Sequence, residues 1–84
     1  MMCNENNLTY NRFGFVVSLA VSKKAVIRNR IRRRLYVIVQ RLFPTLRPGY
    51  DCVVWAYPEA VDLGYQEIEE YVRQMFERTR ILKL

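Results

Sequence analysis

Between Lys23 and Arg41 the chain reads KKAVIRNRIRRRLYVIVQR, eight cations in nineteen residues without one acid. Six of the eight are arginines. A guanidinium is a planar fork of donors that matches phosphate oxygens and stacks on bases. Residues of this type at this density suit the binding of a polyanion. The groups that break bonds are scarce by comparison. The chain has no histidine, no evident base beside either cysteine, no Gly-rich phosphate loop and no paired-carboxylate motif, so no catalytic residue is assigned. Without histidine or a CxxC pair, a Cys/His zinc site is not expected, and no metal ligand is named. Cys3 and Cys52 read as reduced thiols, with Cys52 a small core residue of a strand.

The elements that position these cations must come from a single small domain spanning 1–84. The net charge of +6 is unevenly divided: residues 1–50 carry ten Lys/Arg against one acid, and residues 51–84 carry four against seven. A half that basic calls for an anionic partner. The start, MMCNENNLTY, has neither the basic nor the apolar region of a signal peptide, and no apolar run is long enough to span a bilayer. A cytoplasmic protein with no membrane association and no obligate protein partner is the expectation.

Residues 1–11 are polar and Asn-rich, and read as loop or disordered terminus. RFGFVVSLAVS follows as a strand, with Phe13, Phe15 and Val17 on one face and Arg12, Gly14, Val16 and Ser18 on the other. Ser22 is placed to cap a helix over about Lys23–Phe43. In that helix Ile27, Ile31, Leu35, Ile38 and Leu42 fall in one narrow arc and the arginines fill the rest. Pro44 and the RPGYD turn end it, and DCVVWAY forms a second strand that stops at Pro58. Asp62 is placed to cap a last helix beginning near Gly64 or Tyr65. Its apolar stripe is Ile68, Val72, Met75, Phe76 and Thr79, and Glu67, Glu69, Glu70 and Glu77 face water. Strand, basic helix, strand, helix is an α+β order in which helices cover one face of a sheet.

Cations at a helix N-terminus oppose the macrodipole, so local stability did not put Lys23, Lys24 and Arg28 there. A merely solvated face does not account for eight cations without an acid. A membrane-surface helix has no need of two strands to cover its apolar stripe. A rigid reader of phosphates accounts for both features. No helix-turn-helix, zinc finger or leucine heptad points to DNA, whereas Phe13, Phe15 and Tyr57 on a half-open strand suit stacking on unpaired RNA bases. Packing into the core is the competing role for each of these aromatics.

NRFGFVVS followed by KKAVIRNRIRRRL resembles the bacterial ribonuclease P protein component. The pattern is an R-F-G strand, a short link, and an R-N-R helix. It is carried here by Arg12, Phe13, Gly14, Val17 and Ser18, then Lys24, Ala25, Val26, Arg28, Asn29, Arg30, Ile31, Arg32 and Arg33. YDCVVWAYPEA and LGYQEIEEYV resemble the family's later strand and last helix, so the similarity runs from about Asn11 to Leu82. The resemblance implies a two-layer α+β sandwich with a left-handed βαβ crossover carrying the R-N-R helix, contrary to the usual hand. It implies the accessory protein subunit of an endonuclease that removes 5′ leaders from precursor tRNA, in which ribonuclease P RNA and its Mg2+ perform the hydrolysis. No cofactor is then held by protein side chains, and the partners are ribonuclease P RNA and precursor tRNA. An RNA-binding structural module without a role in cleavage is the alternative.

Carried over by residue, Lys24, Arg28, Asn29, Arg30, Arg32 and Arg33 contact RNA, with Lys23 and Arg12 as further candidates. Phe13 and Phe15 are candidates for the cleft that holds the leader. Two departures stand out. Leu19 and Ala20 occupy places where the family usually has lysines. The family also begins with a further helix and strand, whereas about eleven residues precede the R-F-G strand here. Either the true start lies upstream or this is a reduced form with an incomplete leader cleft; lacking a strand, the expected sheet presents an exposed edge.

Overall fold

The two strands expected from alternation, Arg12–Val16 and Tyr50–Trp55, lie side by side and parallel, with Phe13 opposite Cys52 and Phe15 opposite Val54. The computed structural model describes residues 1–81; Leu82, where the family resemblance was expected to end, lies outside the described residues. A further strand, Met2–Glu5, pairs antiparallel with Tyr50–Trp55 on its other side. Numbered along the chain, β1 is Met2–Glu5, β2 is Arg12–Val16 and β3 is Tyr50–Trp55, in the sheet order β1-β3-β2. The expectation that residues 1–11 are loop, and that no strand precedes the R-F-G strand, is corrected. MCNE carries little intrinsic strand signal. The open edge of β3 imposes the pairing, reinforced by a disulfide between Cys3 and Cys52, which are register partners. The reading of two reduced thiols is corrected with it.

Helix α1, Ala25–Leu42, joins β2 to β3, and helix α2, Tyr65–Arg78, follows β3. Ile31, Leu35, Ile38 and Leu42 are buried as their spacing requires, Ile27 is half-buried at the first turn, and Val39 joins them. From α2 come Ile68, Val72 and Phe76, from β3 Cys52 and Val54, and Val17 joins them just past the end of β2. Phe13 ties the layers together, its ring 5.6 Å from that of Phe43 and 5.9 Å, edge-on, from that of Phe76. Both helices therefore cover one sheet face. Arg12, Gly14, Val16 and Trp55 lie exposed on the other.

The caps differ from expectation. Lys24, not Ser22, is the α1 N-cap, and no side chain caps that end. The Ser22 hydroxyl instead accepts the Lys24 N–H at 3.2 Å, closing a tight turn before the helix begins. Gly64, not Asp62, caps α2, and Glu67 reaches back to accept its N–H at 3.3 Å. Gly49 turns the chain into β3 at φ +94°, where a β-carbon would meet the Leu8 carbonyl at 3.2 Å. The Asn11 side chain secures this turn, accepting the Tyr50 N–H at 2.8 Å and donating to the Arg47 carbonyl at 2.9 Å.

Candidate nucleic-acid interface

Because the α1 stripe is pressed into the core, the positions between its members are forced outward. Lys23, Lys24, Asn29, Arg30, Arg32 and Arg33 are exposed, and Arg28 and Arg34 sit at the margins of the buried arc. Among the described residues none of these cations forms an ion pair. The acids that could have neutralised them are elsewhere. Glu69, expected to face water, is only 15% exposed and is held by Arg41 at 2.9 Å and Arg73 at 3.5 Å. Asp51 is held by Arg12.

Local bonds distinguish the cations from one another. Arg28 donates to the Ser22 carbonyl at 2.9 Å, which fixes its guanidinium over the turn that enters the helix. Arg32 donates to Asn29 Oδ1 at 2.7 Å, so the Asn29 amide orients a cation and leaves its own N–H groups outward. The first turn of α1 contains no acid and no side-chain cap. Its free N–H groups and the positive end of the helix dipole thus add to the field of Lys23, Lys24 and Arg28. This end of α1 can bind phosphate oxygens from several directions.

Arg12, a further candidate, is differently placed. It lies across the sheet from α1 and forms a two-pronged pair with Asp51, at 2.7 and 2.6 Å. Asn6 adds a bond to the same carboxylate at 2.9 Å. The Arg12 guanidinium and the Asn6 amide hold the Asp51 carboxyl down at about 2, and hydrogen bonding to Asp51 raises Arg12 further above its usual value. Its charge is already matched within the protein.

Phe13 and Phe15 project on the helix side, half-buried, into a cleft of about 130 Å³ between β2 and α1. Tyr36, Gln40 and Phe43 form the opposite wall, and Gln40 donates to the Tyr36 hydroxyl at 2.9 Å. Tyr36 stands one turn beyond Arg32, so the cleft continues directly from the cationic face. Tyr36 and Gln40 did not emerge from the sequence. Their spacing from Arg32 was the available signal, but it was masked by the arginine run. Tyr57, grouped with the phenylalanines on sequence grounds, is not in this cleft. β3 ends at Trp55, and Tyr57 opens a 3-10 turn over Pro58–Asp62. There it borders a separate apolar cavity of about 390 Å³, floored by Ile31, Leu35, Val54, Ile68 and Val72. Among the described residues no helix is long and apolar enough to cross a membrane, and no three His, Cys, Asp or Glu converge on a metal position.

A mixed three-stranded sheet backed by two helices, one presenting a fixed row of unpaired cations, defines the class: a small α+β protein with a rigid cationic face. The ribonuclease P family model matches residues 1–80, and the chain belongs to that family. The match takes in residues 1–10, which carry none of the motif positions. A ribonuclease P protein component from Cyanothece sp. is 42% identical over 71 residues, covering 84% of this chain and 54% of the relative. One from Symbiobacterium thermophilum is 40% identical over 75 residues, covering 89% and 64%. This chain thus spans between about half and two thirds of the length of these relatives. Among solved structures, an RNase P protein from Thermotoga maritima superposes with a TM-score of 0.82 at 25% identity, covering 90% of this chain and 74% of that one. The Staphylococcus aureus RNase P protein superposes at 0.84, covering 96% and 73%; its 21% identity speaks to the fold alone.

Proposed function

We propose that this chain is the protein component of a cytoplasmic ribonuclease P, binding the catalytic RNA and the 5′ leader of precursor tRNA to assist removal of that leader. The observation that carries this reading is the unpaired cationic face of α1, contiguous with an aromatic cleft, in a chain whose relatives bear that component's name. Burial of the Ile31–Leu42 stripe fixes the α1 backbone from which the cations project before any RNA arrives, so no backbone order in the helix remains to be imposed on binding. Phosphates take the positions that acids leave vacant on α1. Unpaired leader bases enter beside Phe15 and Tyr36, where an aromatic face stacks on any base. Hydrolysis belongs to the RNA and its Mg2+.

The test is cleavage of a precursor tRNA by ribonuclease P RNA at low magnesium, with and without the chain. Faster cleavage at the mature 5′ end supports the reading. Retention of the RNA without any gain in cleavage replaces it with an RNA-binding module that takes no part in processing.

A further inference from the structure

Cys3 and Cys52 play no part in the reading above, yet the fold sets them face to face. They are register partners in β1 and β3 with Cα atoms 4.1 Å apart, the close approach of a non-hydrogen-bonded antiparallel pair. Their disulfide links positions 49 residues apart in sequence and is the only covalent tie between β1 and the sheet. Little else holds this strand. Met2, Asn4 and Glu5 are exposed, and β1 packs chiefly on β3. Beyond the antiparallel ladder to β3, the other ties come from Asn6, through its N–H to the Gly49 carbonyl and its amide to Asp51, each at 2.9 Å. A four-residue edge strand with so little apolar burial is at the weak end of what a sheet retains. Met1, next along, lines the 390 Å³ cavity between the helices and β3.

The two sulfurs also differ in access. Cys52 is 2% exposed, whereas Cys3 is half-buried and is the more accessible of the two. In the reduced chain, the Cys3 thiolate can attack a low-molecular-weight disulfide such as oxidised glutathione. One thiolate leaves and a mixed disulfide remains on Cys3. The Cys52 thiol then loses its proton to solvent and its thiolate attacks the Cys3 sulfur, expelling the second small thiol. Two protein thiols are oxidised and one small disulfide is reduced to two thiols. Excess thiol runs the same steps backwards.

We propose that Cys3 and Cys52 form a redox latch. Oxidised, the pair fixes β1 on β3 and keeps Met1 against the cavity; reduced, it lets β1 leave the sheet edge, uncovering both the β3 edge and the cavity. The experiment equilibrates the full chain in glutathione buffers from reducing to oxidising, then reads its mass and the hydrogen exchange of the residue 2–5 amides. The expected result is a monomer that loses two hydrogens on oxidation, with β1 exchange slowing by about tenfold or more. Cys3→Ala should exchange fast in β1 and ignore the buffer. Cys52→Ala provides a second such comparison, and unchanged exchange in the α1 amides shows that each variant is folded. A chain that stays dithiol in the most oxidising buffer overturns the proposal. So does one that forms only mixed or intermolecular disulfides, or one whose β1 exchange is the same in both states.

Discussion

Replacing Arg33 by alanine tests the cationic face most directly. Arg33 lies diametrically opposite the buried stripe of α1, with no carboxylate partner among the described residues, and alanine is at least as good a helix former. Stability should therefore be unchanged. Five exposed cations of the motif region, Lys23, Lys24, Arg30, Arg32 and Arg33, lack an acid among the described residues. If each neutralises one phosphate at about 0.7–0.9 of a logarithmic unit, log affinity for ribonuclease P RNA should fall with log salt at a slope of about 4. A fourfold rise in salt then weakens binding by about 250-fold. Arg33→Ala should lower the slope by about 0.8 and, at low salt, cost about 1–3 kcal/mol of binding. Arg12→Ala is the comparison, because Asp51 already matches that charge, and its slope should stay at the wild-type value. Filter binding at five or so salt concentrations on the three proteins suffices. An unchanged slope in Arg33→Ala, or an equal fall in both variants, would refute the assignment of the faces.

Four further outcomes follow from particular contacts. Arg28→Ala should lose about 1 kcal/mol of stability, read by urea unfolding, because it removes a part-buried bond to the Ser22 carbonyl; Arg30→Ala should lose none. Ile38→Ala empties a fully buried position and should cost about 2–5 kcal/mol in the same assay. Gly49→Ala should cost about 1–2 kcal/mol, since a β-carbon at φ +94° is strained and approaches the Leu8 carbonyl. The Asp51 carboxyl is held down from 3.8 to about 2, so its contribution is fully present above the ordinary value and is lost as pH falls through about 2. Acid unfolding of Asp51→Asn should lack that component, and a carboxyl resonance titrating at the ordinary value would show the pair with Arg12 to be absent in solution.

The elements legible in the sequence were those whose pattern is set by a single face. The α1 stripe and the alternation of Phe13, Phe15 and Val17 each repeat against one core, and period alone identifies them. β1 was not legible because nothing in MCNE asks for a strand. Its pairing exists only once β3 has an open edge and Asn6 can reach the Gly49 carbonyl and Asp51. The same long-range cause hid the cysteine pair, whose members lie far apart until β1 and β3 come into register. Ser22 was misread for a subtler reason. A serine two residues before the true cap accepts the N–H of the cap residue Lys24 rather than one inside the helix, in a turn that also offers the Ser22 carbonyl to Arg28.

The candidate interface was legible in kind and not in detail, and its charges show why. Along α1 the C-terminal cation, Arg41, is answered by Glu69, as a folded protein ordinarily arranges its surface. At the other end the rule is broken three times over: no acid in the first turn, no side-chain cap, and cations added to the positive pole of the dipole. The first and third are visible in sequence and the missing cap only in the structure, and each costs the free protein stability. They make sense together if the missing negative charge comes from outside. What sequence could not supply is the sorting of the cations. Arg12 answers Asp51, Arg28 is fixed on a backbone carbonyl, Arg32 is steered by Asn29, and Lys23, Lys24, Arg30 and Arg33 are left without an acid among the described residues. That sorting comes from tertiary neighbours, so the arginines of one run should separate in their effects on binding and on folding.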